Sequence, residues 1–163
     1  MSRELSDRSG TSEGAPFVSQ VDVRFRHCDP AGIVFYPRYF EMINDFVEEW
    51  FANGLGVSFH ELHAVRHIGT PLASVQCDFS APSRWNETLR QELRVLRIGG
   101  ASINAEVRFS GPTGDRRLTA RLTIVTVDLH SMRSTAMPAD LRERTRAYVV
   151  SAADDGAGDD GGF

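Results

Sequence analysis

Apolar and polar positions alternate from residue 17 to residue 25. Phe17, Val21, Val23 and Phe25 share one side, and Val18, Gln20, Asp22 and Arg24 the other. That period of two predicts a strand. From Pro37 to Gly54 the period lengthens. Tyr39/Phe40, Ile43, Phe46/Val47 and Trp50/Phe51 form a broad apolar stripe, with Glu41, Asn44, Asp45 and Glu48 opposite. This spacing predicts a long amphipathic helix, with Pro37 near its first turn and Gly54 and Gly56 past its end. Residues 58–67 suit a short second helix. Strands follow at 71–80, 88–97, 102–109 and 118–128. In the second, Leu89, Leu93 and Val95 alternate with Arg90, Glu92 and Arg94; in the third, Ile103, Ala105, Val107 and Phe109 alternate with Asn104, Glu106 and Arg108. Gly99-Gly100 and the run Gly111 to Gly114 supply turns. A last short helix is expected from Pro138.

The order is therefore one strand, one long helix and four strands in meander, an α+β pattern. A sheet with one apolar face needs a cover, and only the long helix can provide it. The expected architecture is a curled antiparallel sheet of about five strands wrapped around that helix, one domain over residues 17–150. One helix leaves the sheet edges bare, which points to a homo-oligomer, a dimer or a dimer of dimers. Residues 1–16 are rich in Ser, Gly and Glu, and 151–163 are small and acidic. Neither can bury enough apolar surface to offset chain entropy, so both are expected to be disordered.

Composition narrows the function classes. With 163 residues, 41% apolar and 25% charged, the chain can bury one core and reads as soluble and globular. Its 18 basic and 22 acidic residues give a formal net charge of −4, and Asp154, Asp155, Asp159 and Asp160 in the tail account for the excess. No basic field exists to recruit nucleic acid, so an anionic ligand would rely on local arginines. Cys28 and Cys77 make neither a disulfide framework nor a zinc pattern, which suits reduced thiols. The first sixteen residues lack the apolar core of a signal peptide, and no run approaches the roughly 20 residues of a membrane span. A cytoplasmic protein without membrane partners is expected.

The chemistry concentrates in HCDPAGIVFYPRYF, residues 27–40. Asp29-Pro30 suits a turn, and the Asp side chain can bond local N–H groups there. The same acid also stands where a Gly-containing loop enters a helix N-terminus, whose unpaired N–H groups can hold an oxyanion. A carboxylate of ordinary pKa, about 3.9, is ionised at neutral pH and available as nucleophile or base. Both readings stand on the residues alone. His27, two before Asp29, would share its side on an extended segment, where it either tunes the acid or lines the loop; Cys28 would point away. His60, His63 and His67 share a face if helical, but HELH is not the zinc-binding HExxH and no ligand completes a set. A solvated histidine face is the better reading, and no metal is expected. No GxSxG, P-loop or dinucleotide fingerprint occurs.

CDPAGIVFYPRYF closely resembles the loop-and-helix signature of hot-dog fold thioesterases, specifically the Pseudomonas-type 4-hydroxybenzoyl-CoA thioesterases. GTPLASVQCDFSAP, residues 69–82, matches the next strand of that family. The resemblance runs from about Gln20 to about Leu141. It implies an acyl-CoA thioesterase acting on an aryl-CoA in aromatic degradation, without metal or redox cofactor, coenzyme A being part of the substrate. Asp29 would be the catalytic carboxylate, attacking the thioester to give a mixed anhydride or acting as general base on water. The backbone N–H of Tyr36 would be the oxyanion donor. Gly32, Thr70 and His27 would shape the substrate site, and Arg97 and Arg133 would meet the coenzyme A phosphates, from this or a neighbouring subunit. The aryl enzymes often carry an acid at the position of His27, and their basic cluster is thinned here to Ile98 and Gly99 after Arg97, leaving Arg84 as another candidate. Short-chain relatives carry a histidine at the position of Tyr36, which favours an aromatic acyl group here. A short- or medium-chain aliphatic thioesterase, a non-catalytic acyl-CoA-binding protein and a hydratase using His27 with Glu41 or Asp45 are the other readings.

Overall fold

The computed structural model describes residues 14–150, so of the disorder expected for 1–16 and 151–163 all but residues 14–16 lies outside the described residues; Gly14 N–H donates to the Ala147 carbonyl at 3.1 Å. Among those described, eight strands, β1 (Phe17–Asp22), β2 (Ile68–Gly69), β3 (Leu72–Phe79), β4 (Thr88–Ile98), β5 (Ser102–Ser110), β6 (Arg116–Val125), β7 (Val127–Asp128) and β8 (Arg133–Ser134), accompany two helices, α1 (Tyr36–Glu49) and α2 (Ala139–Arg146). The main sheet has five strands in the order β1-β4-β5-β6-β3, every pairing antiparallel; β2, β7 and β8 make a small second sheet.

The meander expectation needs correcting. Only β4, β5 and β6 follow one another; β3 crosses to the far side of β6 and β1 flanks β4. The run 118–128 also divides, because Thr126 turns out of the ladder and gives its hydroxyl to the Thr135 carbonyl at 2.6 Å. The first strand stops at Asp22, and Phe25–His27 tighten into a 3₁₀ turn.

Helix α1 covers the sheet as expected. Tyr39, Met42, Ile43, Phe46 and Val47 are buried on one face, against the inward side chains Leu93, Val107, Phe109, Ala120 and Leu122. Edge-to-face ring contacts of 6.5 Å (Phe46–Phe109) and 6.3 Å (Tyr39–Phe109) fix the helix over the middle of the sheet. The helix ends through a widened π-helical turn, Trp50–Gly54. A side chain at Gly54 would strike the Trp50 ring, its Cβ 2.6 Å from Trp50 Cδ1. The expected second helix is another π turn, Glu61–Val65. Together these elements form the curled sheet around one long helix of a hot-dog fold.

Candidate active site

The segment before α1 folds back on itself as a short ladder. Phe35 N–H donates to the His27 carbonyl at 2.9 Å, Cys28 and Val34 form an antiparallel bridge, and Asp29 N–H donates to the Ile33 carbonyl at 3.0 Å. Gly32 N–H closes the tip on the Asp29 carbonyl at 2.9 Å. Gly32 holds φ +78°, and a Cβ at that position would meet nothing within 4 Å, so its conformation, not space, requires glycine. The ladder seats the acid's loop directly against the residues that start α1.

Asp29 is partly exposed, and its Oδ1 accepts the Ala31 N–H at 2.8 Å, an Asx turn. Its second oxygen has no partner among the described residues. The turn reading and the catalytic reading thus coexist in one side chain, one oxygen fixed and the other unused. At the helix start, Phe35 provides no side-chain cap and the first turn carries no acid. Arg38 N–H returns to the Phe35 carbonyl at 2.8 Å and Pro37 has no N–H, while the Tyr36 N–H has no acceptor among the described residues. A backbone donor at the positive end of a fourteen-residue helix is therefore unspent.

His27 differs from expectation. The 3₁₀ turn replaces the extended segment, and the imidazole, 5% exposed, accepts the Arg24 N–H through Nδ1 at 2.9 Å. The proton of the neutral ring therefore sits on Nε2. Burial holds the ring below the ordinary histidine value; Arg26, Arg38 and Arg24 add to this, and Glu41 opposes it. Among the described residues no hydrogen bond joins the His27 ring to Glu41 or Asp45, the pairing a hydratase would need, and the Glu41 carboxylate meets Arg38 at 3.0 Å. Burial, then the Asp29 charge, raises the Cys28 thiol, which discourages thiolate chemistry. Cys77 is pushed up to about 11 in the same way, by burial and then by Asp78.

The remaining candidates stand apart. Thr70 follows β2, is 9% exposed, and its buried Oγ1 has no hydrogen-bond partner among the described residues. Arg97, beside the β4 bulge, and Arg133, opening β8, are exposed and unpaired among the described residues, as is the Arg84 guanidinium. Among the described residues, no hydrogen bond links Thr70, Arg97 or Arg133 to the acid loop. His67 leaves the expected histidine face: its ring lies tilted against His130, centroids 4.4 Å apart, whereas His63 packs on Phe59. An open cavity of about 390 Å³ lies among Asp22, Val23, Arg24, Phe25, Trp85, Asn86 and Thr88 and does not include Asp29.

Sequence reading missed the support beneath the loop. Val34 N–H donates to the Ser83 carbonyl at 2.9 Å, Ile33 bridges Arg84, and Tyr39 gives its hydroxyl to Ser83 Oγ at 2.8 Å. Buried Arg117 braces that segment, bonding the Pro82 carbonyl at 2.9 Å and pairing with Glu87 and Asp115.

The Thioesterase-like superfamily model matches residues 23–145, most of the chain and every residue of this site. The chain belongs to the thioesterase-like superfamily. It is a thioester hydrolase on a hot-dog frame. Solved structures agree in fold: a 1,4-dihydroxy-2-naphthoyl-CoA thioesterase from Synechocystis is 18% identical with a TM-score of 0.74, over 80% of this chain and 95% of that one. A gentisyl-coenzyme A thioesterase is 24% identical with a TM-score of 0.71, over 79% and 99%. A Staphylococcus aureus protein determined in complex with CoA is 12% identical with a TM-score of 0.77, over 86% and 89%. No curated protein sequence matches this thioesterase significantly.

Proposed function

We propose that this thioesterase hydrolyses an aryl-CoA, a hydroxybenzoyl-CoA or a related benzoyl-CoA, to the free acid and coenzyme A. The observation that carries the reading is the ladder between residues 27 and 35, which ties an ionisable carboxylate to a helix start with an unspent N–H. In the nucleophilic version, the free oxygen of Asp29 attacks the thioester carbonyl carbon. The oxyanion forms at the Tyr36 N–H, the C–S bond breaks, and the thiolate leaves and takes up a proton. Water then hydrolyses the mixed anhydride, releasing the acid and restoring the carboxylate. In the general-base version, Asp29 takes a proton from water that attacks directly. One oxyanion donor of this kind is worth about 100- to 1,000-fold in rate.

Aromatic side chains crowd the same end of the molecule: Phe35, Tyr36, Phe40 and Phe79 are all exposed, with Phe35 and Tyr36 at 5.5 Å and Phe40 and Phe79 at 6.5 Å. Such a surface favours a flat acyl group. The Thr70 hydroxyl, without a partner among the described residues, suits a polar substituent on that ring, and Arg97 and Arg133, exposed and unpaired among the described residues, suit phosphates. The gentisyl- and naphthoyl-type thioesterases among the structural neighbours are consistent with this substrate class. A homo-oligomer completes the reading, because among the described residues β3 leaves an open strand edge beside the exposed rings. The test is thiol release from a panel of aryl- and alkyl-CoA esters, wild type beside Asp29→Asn. Aryl esters should be preferred, and the substitution should lower kcat by about 10²- to 10⁴-fold. Straight-chain esters hydrolysed tenfold faster than aryl ones would refute the aryl assignment. Incorporation of ¹⁸O from water into Asp29 in a single turnover separates nucleophile from base.

A further inference from the structure

His27 is tied into the site at three points, and none of them is a substrate contact. Its N–H donates to the Arg24 carbonyl at 2.9 Å, its Nδ1 accepts the Arg24 N–H at 2.9 Å, and its carbonyl accepts the Phe35 N–H at 2.9 Å. The first two close the 3₁₀ turn on which the ladder stands; the third is the rung that joins the acid loop to the residue preceding α1. The Arg24 N–H has no other acceptor among the described residues. Without the Nδ1 acceptor, the Arg24 N–H would lose its partner, and the turn would be held by its two backbone bonds alone, His27 N–H to the Arg24 carbonyl and Cys28 N–H to the Phe25 carbonyl at 3.1 Å.

We infer that His27 is a positioning residue: its Nδ1 clamps the turn that holds the Asp29 loop in register with the start of α1. The reading of Asp29 and the Tyr36 N–H as reacting partners underlies the catalytic side of this inference. The clamp itself does not depend on it. The side-chain requirement is specific, an acceptor at the δ position of a short planar group. Asparagine can present its Oδ1 where the ring presents Nδ1, whereas the glutamine oxygen lies one bond further out.

The test compares wild type, His27→Asn, His27→Gln and Arg24→Pro, the last deleting the donor of the same bond. Amide hydrogen exchange at Phe35, measured by NMR, reads the rung directly. Protection should persist in His27→Asn and fall at least tenfold in His27→Gln and Arg24→Pro. With an aryl-CoA ester, kcat should fall about ten- to hundredfold in those two, with KM within about threefold of wild type, and His27→Asn should recover most of the loss, as expected when reacting groups are displaced rather than removed. The inference is overturned if His27→Asn exchanges and turns over no better than His27→Gln, or if the loss appears in KM. A wild-type protein that releases no thiol from any ester would sink the proposed function instead, and the exchange data would still decide the clamp. Arg24→Pro keeps the comparison decisive should His27→Gln fail to fold.

Discussion

Thr70 shows how one residue can be informative by what it lacks. A buried hydroxyl without a partner has lost its water for no return, so it weakens the fold unless something else engages it. Thr70→Val removes the stranded oxygen and keeps the shape. Its stability should stay within about 1 kcal/mol of wild type, read from denaturant unfolding. KM for a hydroxylated aryl-CoA should rise about tenfold, the worth of one hydrogen bond, while an unsubstituted benzoyl ester should bind as before. Equal KM values for the two esters in wild type and variant would remove Thr70 from the acyl site. The turn at Asp29, in contrast, was legible from the chain itself, because an Asx turn is a local demand. Whether Thr70 has a partner depends on what lies across the fold.

At the scale of elements, the brace under the acid loop rests on Arg117, which the strand's alternation had no place for. Its guanidinium is buried on β6 and meets Glu87 and Pro82, 30 and 35 residues earlier in the chain. No local pattern announces such a pairing. Burial alone would raise the Glu87 pKa, but the Arg117 hydrogen bond and the Arg84 N–H outweigh it and hold the carboxyl below its ordinary value. The sign of the pH effect follows. A depressed carboxylate stabilises the fold fully above its unfolded value of about 4.3 and loses that contribution as pH falls through the lower folded value. Removing the cation leaves Glu87 partly buried without its partner, so Arg117→Gln should cost about 3 kcal/mol at neutral pH. The wild-type and variant stabilities should converge in acid, as Glu87 and Asp115, both held low by Arg117, protonate. A gap that stays constant from pH 7 to about pH 3 would show that the pair is not the source.

At the scale of the whole molecule, strand order decides which surface is left for a partner. Because β3 lies outermost, its second edge has no neighbour in the main sheet among the described residues, and its last residue, Phe79, is 48% exposed beside Phe40. An open strand edge next to exposed rings favours pairing with another copy. Sedimentation should therefore give at least twice the chain mass. Phe79→Glu should move the equilibrium toward the single chain by placing a charge in the seam. A wild-type protein that sediments as a single chain would end this expectation. The other edge is partly used already: Val149 lies parallel to Val95 on β4, beyond the end of β1, with bonds of 2.9 and 3.0 Å.

The amino-acid sequence by itself determined the periods, and with them the helix over the sheet, the hairpin turns and the residues of the acid loop. Each depends on neighbours within a few positions, or on which face of an element is apolar. Tertiary structure alone decided that β3 crosses to the far edge, that His27 turns back to Arg24 instead of running extended, and that Arg117 supports the loop from a distant strand. Those outcomes depend on which surfaces meet once the chain collapses, and the alternation of one strand is the same whichever neighbour it finds.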